Sequence, residues 1–210
     1  MIEIQNWGLI DYLDGWNKQK EIVSRLQENP DLPGVLVLCQ HPTVITLGRN
    51  SSRENILFKP EFLEQMGVKL YDIERGGDVT IHNQGQLVGY PIFNLKHFKT
   101  DLHWFLRQIE QIIIELILKY EIVGGRVEGL TGVWIEDSRK IAAIGLHCSR
   151  WITSHGFALN VSNNLNEFSY IVPCGIQDKE VTSISKETGT YIDIVKIENE
   201  VVSLFFEKFS

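Results

Sequence analysis

An α+β domain is the fold class this sequence predicts, and three observations carry that expectation. Strand-like and helix-like stretches interleave irregularly, not in a strict βαβα order. The 210 residues, 43% hydrophobic and 22% charged, suit an ordinary globular chain that can bury a core without disulfides or a structural metal. No internal repeat, low-complexity run or Pro/Ser-rich linker divides the chain. Residues 1–210 therefore read as one domain of mixed β-sheets packed with helices.

The elements follow in order. Residues 9–28 read as a helix with Leu9, Tyr12, Leu13, Trp16, Val23 and Leu26 near one face, stopped by Asn29-Pro30. Gly34 to Gln40 is a short β-branched apolar run that fits a buried strand, and Thr43 to Leu47 a second one after the break at His41-Pro42. A short helix is expected over 59–66, opened by Pro60 and closed by Gly67. Strands are expected at 68–74, 79–82 and 87–95, punctuated by Gly76-Gly77 and Gly85. The clearest helix is 101–120, where Leu102, Phe105, Leu106, Ile109, Ile112, Ile113, Leu116 and Ile117 keep the spacing of one buried face. Strands at 126–135, 140–147 and 156–161 and a last amphipathic helix from Asp193 complete the reading.

Composition narrows the function classes. The formal charge is 20 − 27 = −7, which argues against nucleic acid as the main partner, because duplex-binding domains carry a basic face. Cys39, Cys148 and Cys174 form an odd set with no CxxC pair, a poor disulfide or zinc framework that suits a reducing cytoplasm. The first residues lack the basic and apolar regions of a secretory signal. The most apolar stretch, 109–120, is interrupted by Glu110, Gln111, Glu115 and Lys119, so no membrane span is expected.

Some motif matches fail on context. Ser183 to Lys186 matches S-x-x-K without its partner motifs, and neither a phosphate loop nor a dinucleotide fingerprint is present. His147, Cys148 and His155 lack a familiar metal-ligand spacing. The stretch Arg75-Gly76-Gly77-Asp78-Val79-Thr80-Ile81-His82 is stronger, since two glycines permit a tight turn and close backbone approach while Arg, Thr and His bring polar groups to the same place. On local chemistry it fits a glycine-rich hairpin as well as a ligand loop. Cys174, between Pro173 and Gly175, sits on a turn where a thiol is accessible, but a lone cysteine needs an activating partner to act as a nucleophile. Lys140, His82, His147 and His155 are the basic candidates. Lys140 opens an apolar strand, where an ammonium is partly desolvated and favours a neighbouring thiolate; it also fits a solvated strand-end lysine beside Arg139.

Taken together, these residues resemble the lipoyl(octanoyl) transferases. The likeness runs through His41-Pro42 and Thr46 to Arg49, RGGDVTIHNQGQ at 75–86, YPI at 90–92, GVWI at 132–135, KIAAIGLH at 140–147, RWITSHGFALNV at 150–161 and IVPCGI at 171–176. One departure is Asn83-Gln84, where the family often has Gly-Pro. The resemblance implies an α+β fold shared with biotin and lipoate protein ligases. It implies that Cys174 is the acyl-thioester nucleophile and that Lys140 tunes the thiol's pKa. Substrate-binding segments carry over onto Arg75 to His82, onto Ala143, Ile144 and Gly145, and onto Gly156, Phe157 and Ala158. The implied reaction moves octanoyl from octanoyl-acyl carrier protein to a lysine of lipoyl domains, those of 2-oxoacid dehydrogenase E2 subunits and of glycine cleavage H protein. It is the first step of endogenous protein lipoylation and needs no cofactor or metal. Composition adds the expectation of a cytoplasmic protein with neither nucleic acid nor membrane as partner. With no exposed heptad or repeat to demand a dimer, a monomer is the default.

That reaction sets further expectations. The small residues Ala142, Ala143, Gly145, Gly156 and Ala158 would line an acyl tunnel. Backbone N–H groups near Gly76-Gly77 or Gly145 would stabilise the oxyanion. Arg49, Arg53, Arg139 and Arg150 are candidates for docking an acidic carrier protein. The rivals are an ATP-dependent lipoate or biotin protein ligase on the same fold, which would not need Cys174, and a catalytically silent acyl- or lipoyl-domain-binding protein.

Overall fold

The structure, a computed structural model, describes residues 1–172 and 179–209. Its larger sheet is built around strands that are apolar on both sides. Strand β2 (Gly34–Gln40) lies between β1 (Glu3–Leu9), parallel to it, and β6 (Gln86–Phe93), antiparallel to it. Leu36 and Leu38 point into the core on one face, and Val35, Val37 and Cys39 into the core on the other. A continuous apolar run is what a strand covered on both faces requires.

Beyond β6 come β10 (Ile152–Asn160), β9 (Arg139–Ser149), β8 (Val133–Ile135) and the short β7 (Gly124–Gly125). The two-residue β11 (Glu180–Val181) runs parallel to β9 at Arg139 and Lys140, just past the point where β10 stops pairing at Ala142. A second sheet of β3 (Val44–Leu47), β4 (Lys69–Asp72) and β5 (Val79–His82) has the order β4-β3-β5.

Helices α3 (Leu102–Leu118) and α5 (Ile194–Phe209) cover one face of the large sheet, and α1 (Tyr12–Glu28) covers the other. The short α2 (Pro60–Gln65) packs Leu63 under the small sheet, and α4 (Ile184–Thr188) buries Ile184. Each start has its chemical reason. Asp11, Asp101 and Ser183 accept backbone N–H groups at the starts of α1, α3 and α4, and Pro60 opens α2. No helix among the described residues is long and apolar enough to cross a membrane.

Some sequence expectations are corrected here. The first helix begins at Tyr12 and not at residue 9, because Asp11 caps it and Leu9 ends β1, where it is exposed together with Leu13. The stretch 126–135 is not one strand: only Val133–Ile135 pairs with β9, and the loop before it is tied to α3.

Candidate active site

A cavity of about 390 Å³ lies between the two sheets. Its lining on the small-sheet side comes from Arg75, Gly77 and Asp78 in the loop before β5, then Val79, Thr80 and His82. Opposite stand Ala143 and Gly145 of β9 and Gly156 and Ala158 of β10; Ile144 and Phe157 border it while their side chains belong to the core under α3 and α5. Lys140 borders one end. The three segments expected to bind substrate, and the lysine expected to tune the thiol, thus surround one space. Two residues of the first segment lie apart from the lining: Ile81 is packed under the small sheet, and Gly76 donates its N–H to the Leu146 carbonyl at 3.0 Å. That bond also removes the Gly76 N–H from the oxyanion candidates. Ala142 is corrected as well, being buried in the core beneath α3. Cys174 lies outside the described residues.

The roof is held by Arg75. Its guanidinium donates to the Thr46 carbonyl (2.8 Å), the Thr46 hydroxyl (3.0 Å) and the Gly76 carbonyl (3.1 Å). This locks the glycine loop to β3. The loop in turn sits so close to β9 that a Cβ at Gly145 would stand 2.7 Å from the Gly76 oxygen. Only glycine fits there.

Lys140 faces this space because β9 is bulged. Ala142 pairs with Val133 but Lys140 pairs with the next residue, Trp134, so β9 carries one extra residue. Ile141 and Ala142 both enter the core under α3 and α5, and the alternation slips by one. Lys140 therefore shares the face of Ala143 and Gly145. Its ammonium stands 4.5 Å from the centre of the Trp134 ring, a cation–π contact, with Lys179 at 5.8 Å from the same ring.

A loop tied to α3 supports it from below. Glu110, fully buried, accepts from Arg107 (2.7 Å), Arg126 (2.8 Å) and the Gly132 N–H (3.1 Å). Gly132, at φ +120°, lies under the lysine stem, where an added Cβ would be 3.4 Å from Lys140 Cε and 2.5 Å from the Ala142 oxygen.

A buried polar network runs beside the rest of the cavity. The Ile10 carbonyl can only accept, so His41 donates from Nδ1 (2.7 Å) and its Nε2 accepts from the Tyr90 hydroxyl (2.8 Å). His82 Nδ1 pairs with Gln86 Oε1 (2.9 Å), whose amide nitrogen donates to Asn160 Oδ1 (2.9 Å). The Asn160 amide nitrogen donates to the Thr182 carbonyl, and the Thr182 N–H to the Lys140 carbonyl, both at 2.9 Å. A continuous chain of bonds thus links His82 to the backbone of Lys140.

Burial holds all three histidines neutral: His41 is pushed down to about 4, and His82 and His155 to about 3. Burial likewise raises the Cys39 thiol far above its ordinary value, which fits an inert core residue. Tyr12, Gln86, Tyr90, Asn160 and Glu110 were read in the sequence only as helix-face, motif or apolar-stretch residues, with no role at the site; Glu110 left the clearest signal, a charge inside an otherwise apolar stretch.

Of the docking candidates, Arg139 is engaged by Glu187 and Glu136, and Arg53 by Asp72. Arg49 contacts His147 (3.0 Å). Arg150 occupies the two-residue turn between β9 and β10 at φ +53°. Among the described residues no three His, Cys, Asp or Glu side chains cluster closely enough to hold a metal ion.

The family model of the lipoyl protein ligase A/B catalytic domain matches residues 11–206, almost the whole of this two-sheet fold and its cavity, and the chain belongs to that family. Within it the chain is an acyltransferase. It is 45% identical over 213 residues to an octanoyltransferase of Cytophaga hutchinsonii, covering 93% of this chain and 87% of the relative. Other relatives between 42% and 51% identical carry the same name. Solved structures show the shared fold at low identity. A lipoate-protein ligase A bound with ATP superposes with a TM-score of 0.74 at 13% identity, over 99% of this chain and 85% of that one. Biotin protein ligase from Aquifex aeolicus, in complex with biotin and ATP, gives 0.56 at 14% identity, over 100% and 71%. The α+β class and the fold shared with both ligase types stand as expected, and octanoyl transfer in lipoate biosynthesis is the activity of the family group.

Proposed function

We propose that the chain takes octanoyl from octanoyl-acyl carrier protein and passes it to a lysine of a lipoyl domain through a thioester on Cys174. The observation that carries this reading is the return of the chain beside Lys140. Val181 pairs with Lys140 and Glu180 with Arg139, and Cys174 stands seven positions before Val181 (181 − 174 = 7). Lys140 and Lys179 both contact the Trp134 ring, and Lys140 borders the cavity.

In the first half-reaction the Cys174 thiolate attacks the thioester carbonyl, the bond to the carrier's sulfur breaks, and Lys140 delivers a proton to the departing thiolate. In the second, the target lysine's amine attacks the acyl-cysteine carbonyl. The Cys174 sulfur leaves, and Lys140 takes up the amine's proton. The product amide is more stable than a thioester, so no nucleotide is consumed.

Intact-protein mass after mixing with octanoyl-acyl carrier protein tests the scheme. One octanoyl adduct is expected, absent in Cys174→Ala and lost when apo lipoyl domain is added. Transfer that occurs only with ATP and free octanoate would establish a ligase instead.

A further inference from the structure

A second pocket of about 270 Å³, partly open to solvent, adjoins the first; Trp16 and Val23 of α1 and Ile152 of β10 form its apolar side, and the exposed Lys20 and Glu74, with His147, its polar rim. Among the described residues, His155 is the one that borders both spaces. Its backbone is left-handed, at φ +58°, in the middle of a strand, which takes it out of the regular alternation. Its N–H is held by Gln19 Oε1 at 2.9 Å, and the residue is 3% exposed. A buried, uncharged ring on a pinned backbone is therefore the partition between the two spaces.

The partition lies at the far end of the acyl cavity. Lys140 marks the reacting end, and the cavity runs along β9 through Ala143 to Gly145. His155 pairs with Leu146, one position further. Allowing for the bulge, five strand steps separate the two ends, about 16 Å. An extended octanoyl chain spans about 9 Å; the thioester group and the lysine side chain occupy the remainder.

We propose that His155 sets the length of acyl chain that the enzyme accepts, its ring closing the cavity behind eight carbons, and that without the ring the space beyond admits a longer chain. The inference rests on the octanoyl-transfer reading above. His155→Gly is the informative variant, because glycine adopts positive φ without strain while the backbone N–H to Gln19 is kept.

The readout is the ratio of kcat/KM for dodecanoyl- over octanoyl-acyl carrier protein, on variants whose melting curves show a folded protein. An increase of about tenfold or more is expected for His155→Gly. Val23→Phe added to His155→Gly should fill the second cavity and return the ratio toward the starting value, and His155→Phe should keep it there. Should His155→Gly not fold, His155→Ser reads the same ratio. An unchanged ratio in the folded variant overturns the proposal. Calorimetric binding of free octanoate and dodecanoate to the same variants separates the two readings. If the unsubstituted protein transfers no octanoyl, the functional reading falls, and the relative affinity for the two acids alone decides whether His155 is the partition.

Discussion

His82 and His155 border the cavity and His41 stands next to His82, all three as neutral buried rings, and that makes the fold sensitive to acid. Their folded-state values lie below the usual 6.5 because burial disfavours the imidazolium. The unfolded chain therefore binds protons that the folded one does not, so stability is complete above about pH 6.5 and is lost as pH falls from there toward 4. With all three titrating in the unfolded state, the loss approaches about 4 kcal/mol per pH unit near pH 5. Denaturation midpoints measured between pH 7 and 4.5 check this, and His82→Asn should reduce the slope by about one third. A flat profile would mean that the rings carry charge in the native state. The sequence singled out His82 and His155 as bases. Their neutral state follows from burial, which no residue pattern shows.

The β7–β8 connection, read in the sequence as one strand, is instead a loop hung from α3. Glu110 interrupts the apolar face of α3, and its carboxylate holds two arginines and the Gly132 N–H, which lies under the stem of Lys140. Removing one member of a buried, hydrogen-bonded ion cluster leaves the others without partners. Glu110→Leu should therefore lower stability by about 3 kcal/mol, and kcat/KM should drop as the support under Lys140 relaxes. Glu110→Gln, which keeps an acceptor for Gly132, should lose less of both. Urea denaturation and steady-state kinetics on the pair decide it; equal loss in the two variants would show that charge alone matters. The missed β1 has a related cause. Its residues are mostly exposed or half-buried, and pairing with β2 defines the strand more than an apolar pattern of its own.

The cavity is the seam between two sheets with separate cores, one under α3 and α5 and one around Ile45, Leu63 and Ile81. A ligand in that seam touches both sheets and binds the folded state alone. Octanoate at about 100 times its dissociation constant should add about 2.7 kcal/mol, raising the melting temperature by about 5–10 °C. A thermal shift series against octanoate checks this, and no shift at saturating concentration would place the acyl site elsewhere.

Much of this architecture was already legible in the residues. The buried strand β2, the face of α3, the terminal helix and the glycine loop all follow from periodicity and local chemistry, which act over a few neighbouring positions. The ordered motif blocks carried the family likeness. Three other features depended on contacts between residues far apart in the chain. The extra residue in β9 turns Lys140 from the core face to the cavity face. The left-handed His155 divides two spaces. A chain of bonds from His82 reaches Lys140 through Gln86, Asn160 and Thr182. Strand alternation places side chains by counting, and a single bulge resets the count; where a bulge falls is settled by the strands packed on either side, not by the segment that contains it.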